Sequence, residues 1–218
     1  MAKITSFLNM KGGSGKTTAA LGIAGYLCRE RRVLLIDSDI SSMSICSWNQ
    51  TREKRGIGQE NLVVRPEPYS FRDLQAVQDY AKGFDHVIID TPPEDSETLR
   101  TALSIADFVI LPVSPSPFDI RSAGKTVEVI REGRQEYGIN ARPRFLINRA
   151  IIGTIIAREA RETLAVFKIP IFETEIACRV ALCEAGISGQ TVQEYAAGSQ
   201  AAQEFEQLGK EFLIWTER

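Results

Sequence analysis

The chain has 218 residues, 44% hydrophobic and 25% charged, a balance that excludes a disordered protein and suffices for one substantial buried core. A formal net charge of -2 excludes a globally basic nucleic-acid binder and leaves room only for a local basic patch. Four cysteines without a C-x-x-C pair (Cys28, Cys46, Cys178 and Cys183) read as reduced, buried or half-buried thiols. With no signal peptide and no apolar run of membrane-spanning length, a cytoplasmic protein is expected.

Apolar runs alternate with helical periodicities along the chain. ITSFLN (4–9) reads as a strand that ends at a glycine loop. From Thr17 to Glu30, residues Ala20, Leu21, Ala24, Leu27 and Cys28 recur at helical spacing and predict an amphipathic helix. RVLLID (32–37) is bulky on both faces, as in a parallel strand covered by helices on both sides. The mixed stretch 41–60, with Trp48, Gly56 and Gly58, predicts a surface helix and a loop. LVVRP (62–66) predicts a short strand, FRDLQAVQDYA (71–81) a helix and DHVIID (85–90) a third buried strand. Helix SETLRTALSIA (96–106), strand DFVILPV (107–113), long helix DIRSAGKTVEVIREGRQEY (119–137) and strand RPRFLIN (142–148) follow. KIPIFET (168–174) reads as a short strand, and a last helix runs from about Ser199 to Trp215.

This alternation, without repeats or a linker, predicts an α/β fold: one domain over 1–218, with a mostly parallel sheet flanked by helices on both faces. Ligands in such sheets sit at the carboxyl ends of strands. Those ends are Asn9–Gly15, Asp37–Ser41, Asp90–Pro93, Val113–Pro117 and Asn148.

NMKGGSGKTT (9–18) stands between the first strand and the first helix, the context a phosphate loop requires. Gly12, Gly13, Ser14 and Gly15 let backbone N–H groups turn inward around phosphate oxygens, and the helix N-terminus adds partial positive charge. Lys16 is placed to reach the β and γ phosphates of a nucleotide and Thr17 to ligate Mg²⁺, with Thr18 counted among the nucleotide-binding residues. The strict G-x-x-x-x-G-K-[ST] pattern wants glycine at position 10, and the chain has Met10. Three acids end neighbouring strands: Asp37, Asp39 and Asp90. Asp90 is the acid expected to hold Mg²⁺ through its water shell; Asp37 and Asp39 join it as candidates for ordering the metal and an attacking water. His86, the only histidine, reads as structural.

These residues resemble a known family. KGGSGKTT, with Lys11 before the glycines, resembles the deviant Walker A motif of the ParA/MinD ATPases, LLIDSD their second acidic motif, and VIIDTPP their Walker B segment. SFLNMKGGSGKTTA, PVSPSPFDIRSAG and RFLINRA together resemble the small ParF-type plasmid partition ATPases, which lack an N-terminal helix-turn-helix domain. The resemblance implies a P-loop NTPase fold, ATP and Mg²⁺ as cofactors, and an ATP-sandwich homodimer. In such a dimer Lys11 reaches the phosphates held by the other subunit and neutralises charge on the transferred phosphoryl group. It also implies that Asp39 positions the attacking water and that Asn148 contacts the adenine base. The family usually reads D-x-D-P-Q where this chain reads DSDISS, so Ile40 and Ser41 replace Pro-Gln in the switch loop.

The same resemblance implies non-specific DNA binding, nucleoid association and a ParB-like or other adaptor that stimulates hydrolysis. Basic residues outnumber acids eight to four between Arg131 and Lys168. Arg149, Arg158 and Arg161 from that stretch, with Arg179 from IACRVALCEAG, are therefore the DNA candidates. QLGKEFLIWTER has too few basic residues for a membrane-surface helix, so its apolar run is expected on the core. The expected task is plasmid segregation. Positioning of a protein cargo, a MinD-like membrane cycle and a weakly hydrolysing nucleotide-gated scaffold are the alternatives.

Overall fold

In the computed structural model, which describes residues 1–66, 79–93 and 96–218, strands and helices alternate as the periodicity requires. The strands are β1 (Lys3–Phe7), β2 (Val33–Asp37), β3 (Leu62–Pro66), β4 (His86–Asp90), β5 (Phe108–Val113), β6 (Arg142–Ala150) and β7 (Ile176–Ala177). The helices are α1 (Lys16–Leu27), α2 (Ser44–Lys54), α3 (Ser96–Ile105), α4 (Pro117–Tyr137), α5 (Ile155–Ala165), α6 (Val180–Ser188), α7 (Val192–Tyr195) and α8 (Gln200–Glu217). Most of the helix expected over 71–81 lies outside the described residues.

The strands form one seven-stranded sheet in the order β3-β2-β4-β1-β5-β6-β7, with parallel pairing throughout. In register, Asp37 of β2 lies beside Asp90 of β4, and Phe7 of β1 beside Asp90 on its other side. The glycine loop leaving β1 therefore has two acidic strand ends in succession on its β4 side, an arrangement set by strand order rather than by sequence distance.

Alternate residues of each strand feed two cores, because successive side chains point to opposite faces. Leu34, Ile36, Val87, Ile89, Val109 and Leu111 pack on one face with Leu103 of α3, Val127 and Ile130 of α4 and Leu164 of α5. Val33, Leu35, Ile88 and Ile110 pack on the other with Ile23 and Leu27 of α1, Trp48 of α2 and Phe205, Leu208, Phe212 and Trp215 of α8. The apolar run of α8 thus docks on the core, with Trp215 edge-on to Phe108, Phe172 and Phe212. Among the described residues no helix is long and apolar enough to cross a membrane.

Three expectations change. The first helix is not two-sided: Gly22 and Gly25, on the face away from the sheet, meet Phe205 and Thr191 closely, so α1 is covered on both sides. The helix in 41–60 is only partly a surface element, because Ile45, Trp48 and Arg52 are buried. The segment 168–174 forms only an isolated bridge, Phe145 with Ile171, and regular pairing resumes at β7. Pro170 has no N–H to give a ladder, and Lys168 sits at φ 57, so the segment cannot lie flat against β6.

Candidate nucleotide-binding site

The loop between β1 and α1 is held by the chain around it. Gly13 (φ 74) and Gly15 (φ 86) adopt left-handed conformations that a side chain would strain. Gly15 caps α1 with no side chain on the helix amides and no acid in the first turn, so the positive end of α1 is open to an anion. Lys16 is buried, and its Nζ donates to the Asn9 carbonyl at 3.0 Å. Burial pushes the Lys16 ammonium below its usual range, opposed by the charges of Asp90 and Asp39.

Thr17 Oγ1 donates to Asp90 Oδ2 at 2.6 Å. Asp90 is almost fully buried, and burial raises its carboxyl to about 7, against the pull of the Thr17 hydrogen bond and of Lys16. Its other oxygen, Oδ1, is buried without a partner, as is Ser14 Oγ. An orphaned carboxylate oxygen beside a threonine hydroxyl fits the water shell of Mg²⁺, a cation that keeps several waters and takes its remaining ligands from phosphates. Among the described residues no group of three His, Cys, Asp or Glu side chains is placed to hold a metal ion.

The other two acids have different surroundings. Asp37 is fully buried; its Oδ2 accepts from the amides of Ile45 and Cys46 at 2.9 and 3.0 Å, and its Oδ1 from Asp39 N. Asp37 thus holds the N-terminus of α2, and the expected metal role has both its oxygens engaged elsewhere. Asp39 accepts from the Ser41 and Ser42 amides and the Ser41 hydroxyl. Burial raises its carboxyl, but these hydrogen bonds outweigh it and hold Asp39 below the usual range. Ser41, at the position where the sequence departs from the Pro-Gln pattern, thereby joins Ser42 in tying Asp39 into the turn.

Gly12, Gly13, Gly15, Lys16, Thr17, Thr18, Asp39 and Asn148 line one cavity of about 400 Å³, whereas Ser14, expected with them, lines the neighbouring one. Lys11 lies outside it, on a neighbouring cavity, with its ammonium paired to Asp119 in the first turn of α4. Asn148 lies deeper than expected: its Nδ2 donates to the Ser14 and Gly15 carbonyls at 2.9 and 3.3 Å. Arg149 bonds the Gly13 carbonyl through Nη1. Of the other DNA candidates, Arg179 is paired to Glu204, and Arg161 to Glu173 and Glu175. Arg158 is exposed and makes no ion pair among the described residues. Cys178 and Cys183, expected to be buried or half-buried, are exposed on the cavity rim, because the chain leaves β7 and enters α6 there.

Three further residues hold the loop, and none of them is assigned that role from the sequence. Asn9 anchors Lys11 N through Oδ1 and Pro112 O through Nδ2. Thr126 of α4 accepts from Met10 N at 3.1 Å, which gives the non-glycine position 10 a partner. Asp119 holds the Lys11 ammonium. Thr126 is a polar residue inside an apolar periodic helix, and Asn9 and Asp119 stand at a strand end and a helix start, so only the tertiary packing shows what each of them holds.

The profile of the VirC1 protein family matches residues 1–202 of the chain. The chain belongs to the VirC1/ParA family. A carboxysome-distribution maintenance protein A from Gloeobacter kilaueensis is 31% identical over 196 residues, covering 88% of this chain and 85% of its own. The chromosome-partitioning ATPase Soj of Thermus thermophilus is 29% identical over 238 residues, covering 94% and 93%. Among solved structures, a Borrelia burgdorferi plasmid partition protein bound to AMPPNP superimposes with a TM-score of 0.80 at 22% identity, covering 99% of this chain and 100% of its own. MinD of Pyrococcus horikoshii with Mg-ADP gives 0.75 at 21% identity, covering 97% and 96%. As a VirC1/ParA family member the chain has the P-loop fold of partition and positioning ATPases, whose members bind nucleotide and Mg²⁺.

Proposed function

We propose that this chain is an ATP-hydrolysing positioning protein whose active unit is a homodimer closed around two ATP·Mg²⁺. The observation that carries this reading is the separation of the two lysines. Lys16 is buried inside the nucleotide cavity, whereas Lys11 lies on the same loop, half exposed on the neighbouring cavity. A cation outside its own nucleotide cavity is suited to phosphates presented by a second subunit, where it would neutralise the charge of the transferred phosphoryl group. Lys16 and the loop amides would hold the β and γ phosphates, Thr17 and Asp90 the Mg²⁺ shell, and Asp39 the attacking water. Bound Mg²⁺ would make the phosphate more electrophilic, and the chain's own groups would orient it toward the water at Asp39.

Plasmid DNA is the proposed cargo, in keeping with a structural relative described as a plasmid partition protein; the carboxysome-distribution relative supports a protein cargo as the second reading. DNA contact would be non-specific, led by exposed Arg158, with Arg149, Arg161 and Arg179 contributing where their present partners yield, and it would weaken steeply with salt. A ParB-like or other adaptor would stimulate turnover. Slow basal hydrolysis is favoured by the hold of Ser41 and Ser42 on Asp39.

The test is ATP turnover and sedimentation of wild type, Lys11→Ala and Asp39→Ala, each with and without DNA. The expected outcome is a nucleotide-dependent dimer lost in Lys11→Ala and a stable, non-hydrolysing dimer in Asp39→Ala. Wild-type dimerisation and turnover in Lys11→Ala would reject the cross-subunit role.

A further inference from the structure

The carboxyl end of β6 meets the phosphate loop through two adjacent residues, and both use their donors there. Asn148 is 2% exposed; its Nδ2 donates to the Ser14 and Gly15 carbonyls, and its Oδ1 accepts from Arg149 N at 3.0 Å. Arg149 Nη1 donates to the Gly13 carbonyl at 2.6 Å. Three successive loop carbonyls are thus held from one side; that of Gly15 also accepts from Ala19 N within α1.

In a trans peptide the C=O of one residue and the N–H of the next point in opposite directions. Holding the carbonyls of Gly13, Ser14 and Gly15 toward β6 turns the N–H groups of Ser14, Gly15 and Lys16 the other way, into a common concavity. Such a run of amides is an anion nest. A loop with three glycines among residues 12–15 has many alternative peptide orientations, so fixing them beforehand lowers the entropy lost when phosphate binds.

The backbone shows where this alignment comes from. Pairing between β6 and β7 slips a register between Asn148 and Ala150, leaving Arg149 as a bulge residue at φ 58. A left-handed arginine costs about 1 kcal/mol relative to glycine, and bulges beside active sites re-aim side chains. The strain buys the geometry that turns Arg149 onto Gly13. Contact is close enough that a Cβ on Gly15 would stand 2.1 Å from Asn148 Nδ2, so the glycine at 15 is needed for this seat as well as for its φ of 86.

We infer that Asn148 and Arg149 are a brace for the phosphate loop: positioning residues that set affinity for phosphate. This rests on the nucleotide reading above.

The test uses the full chain and its Asn148→Ala and Arg149→Gly variants, titrated with Mg²⁺ and each of ATP, GTP and inorganic pyrophosphate, with thermal unfolding of the unliganded proteins alongside. Glycine adopts φ 58 freely, so Arg149→Gly keeps or raises the melting temperature and decides the matter even where Asn148→Ala folds poorly. The brace predicts that ATP and pyrophosphate affinities fall together, on the order of tenfold in each variant, at an unchanged ATP-to-GTP ratio. Pyrophosphate affinity equal to wild type in Arg149→Gly overturns it, as does a changed ATP-to-GTP ratio with pyrophosphate untouched. A wild-type chain that binds neither ATP nor pyrophosphate overturns the nucleotide reading itself.

Discussion

Lys11 and Asp119 are joined by an ion pair between the entrance of the phosphate loop and the first turn of α4. The lysine side chain keeps 41% of its exposure and the aspartate 18%, so the pair is partly screened and contributes less than about 1 kcal/mol to stability. Its consequence is for association, because Asp119 competes with any phosphate for the same ammonium. Asp119→Asn is expected to leave urea unfolding within about 1 kcal/mol of wild type and to tighten the dimer formed with a non-hydrolysable ATP analogue by roughly two- to fivefold. Sedimentation velocity reads this, and a weaker dimer would mean that the carboxylate is needed within the closed assembly.

Arg52 and Glu194 tie α2 to α7. The Arg52 guanidinium is 3% exposed, sits over the Trp48 ring, and makes a two-point contact with Glu194 at 2.6 and 2.7 Å. Glu194 also completes the capping box of α7 with Thr191. Glu194→Ala strands a buried cation and is expected to cost about 3 kcal/mol, the low end for a broken buried pair because the carboxylate is partly solvated. Chemical denaturation with an unchanged midpoint would show that Arg52 finds another partner.

His86 is buried against Phe212, with Nδ1 unpartnered, and burial with the nearby charge of Lys3 pushes its pKa down to about 4. A histidine whose folded pKa lies below its unfolded value of about 6.5 supports folding above that pH. That support is lost as the pH falls from about 6.5 to 4, where the unfolded chain takes up a proton the folded one refuses; at about 1.4 kcal/mol per pH unit the loss reaches about 3 kcal/mol. His86→Gln should flatten this part of the stability profile, measured by urea unfolding at several pH values. An equal acid sensitivity in the variant would assign it to the carboxylates instead.

Gly22 faces the Phe205 ring so closely that a Cβ would lie 2.1 Å from it. Gly22→Ala must move α8 away from α1, and overpacking of this kind costs about 1–3 kcal/mol, more than the roughly 1 kcal/mol gained in helix propensity. Gly58→Ala, with nothing within 4 Å, is the control and should lie within about 0.5 kcal/mol of wild type. A stabilised Gly22→Ala would show that α8 is free to shift.

Local rules determined the strands and the loop. RVLLID and DHVIID became β2 and β4 because runs of branched apolar residues have no solvent-facing side to offer, and only a strand covered on both faces accommodates them. NMKGGSGKTT became the phosphate loop because its glycines permit φ 74 and φ 86 between a strand and a helix. Position in space was beyond such rules. Asp37 and Asp39 have nearly the same local sequence context, yet one caps α2 and the other borders the nucleotide cavity, since a two-residue step along the end of a strand changes which element it meets. By pattern Asn148 ends a strand like any other; the sheet order sets β6, which runs on to Ala150, near the loop, and a bulge turns Arg149 onto it. Asp119 and Thr126 lie more than a hundred residues from the lysine and methionine that they hold, and periodicity carries no information over that distance. Patterning by itself determined which segments pack and which loop can receive a phosphate; the tertiary structure decided which side chains hold that loop, because those contacts depend on strand order and crossover.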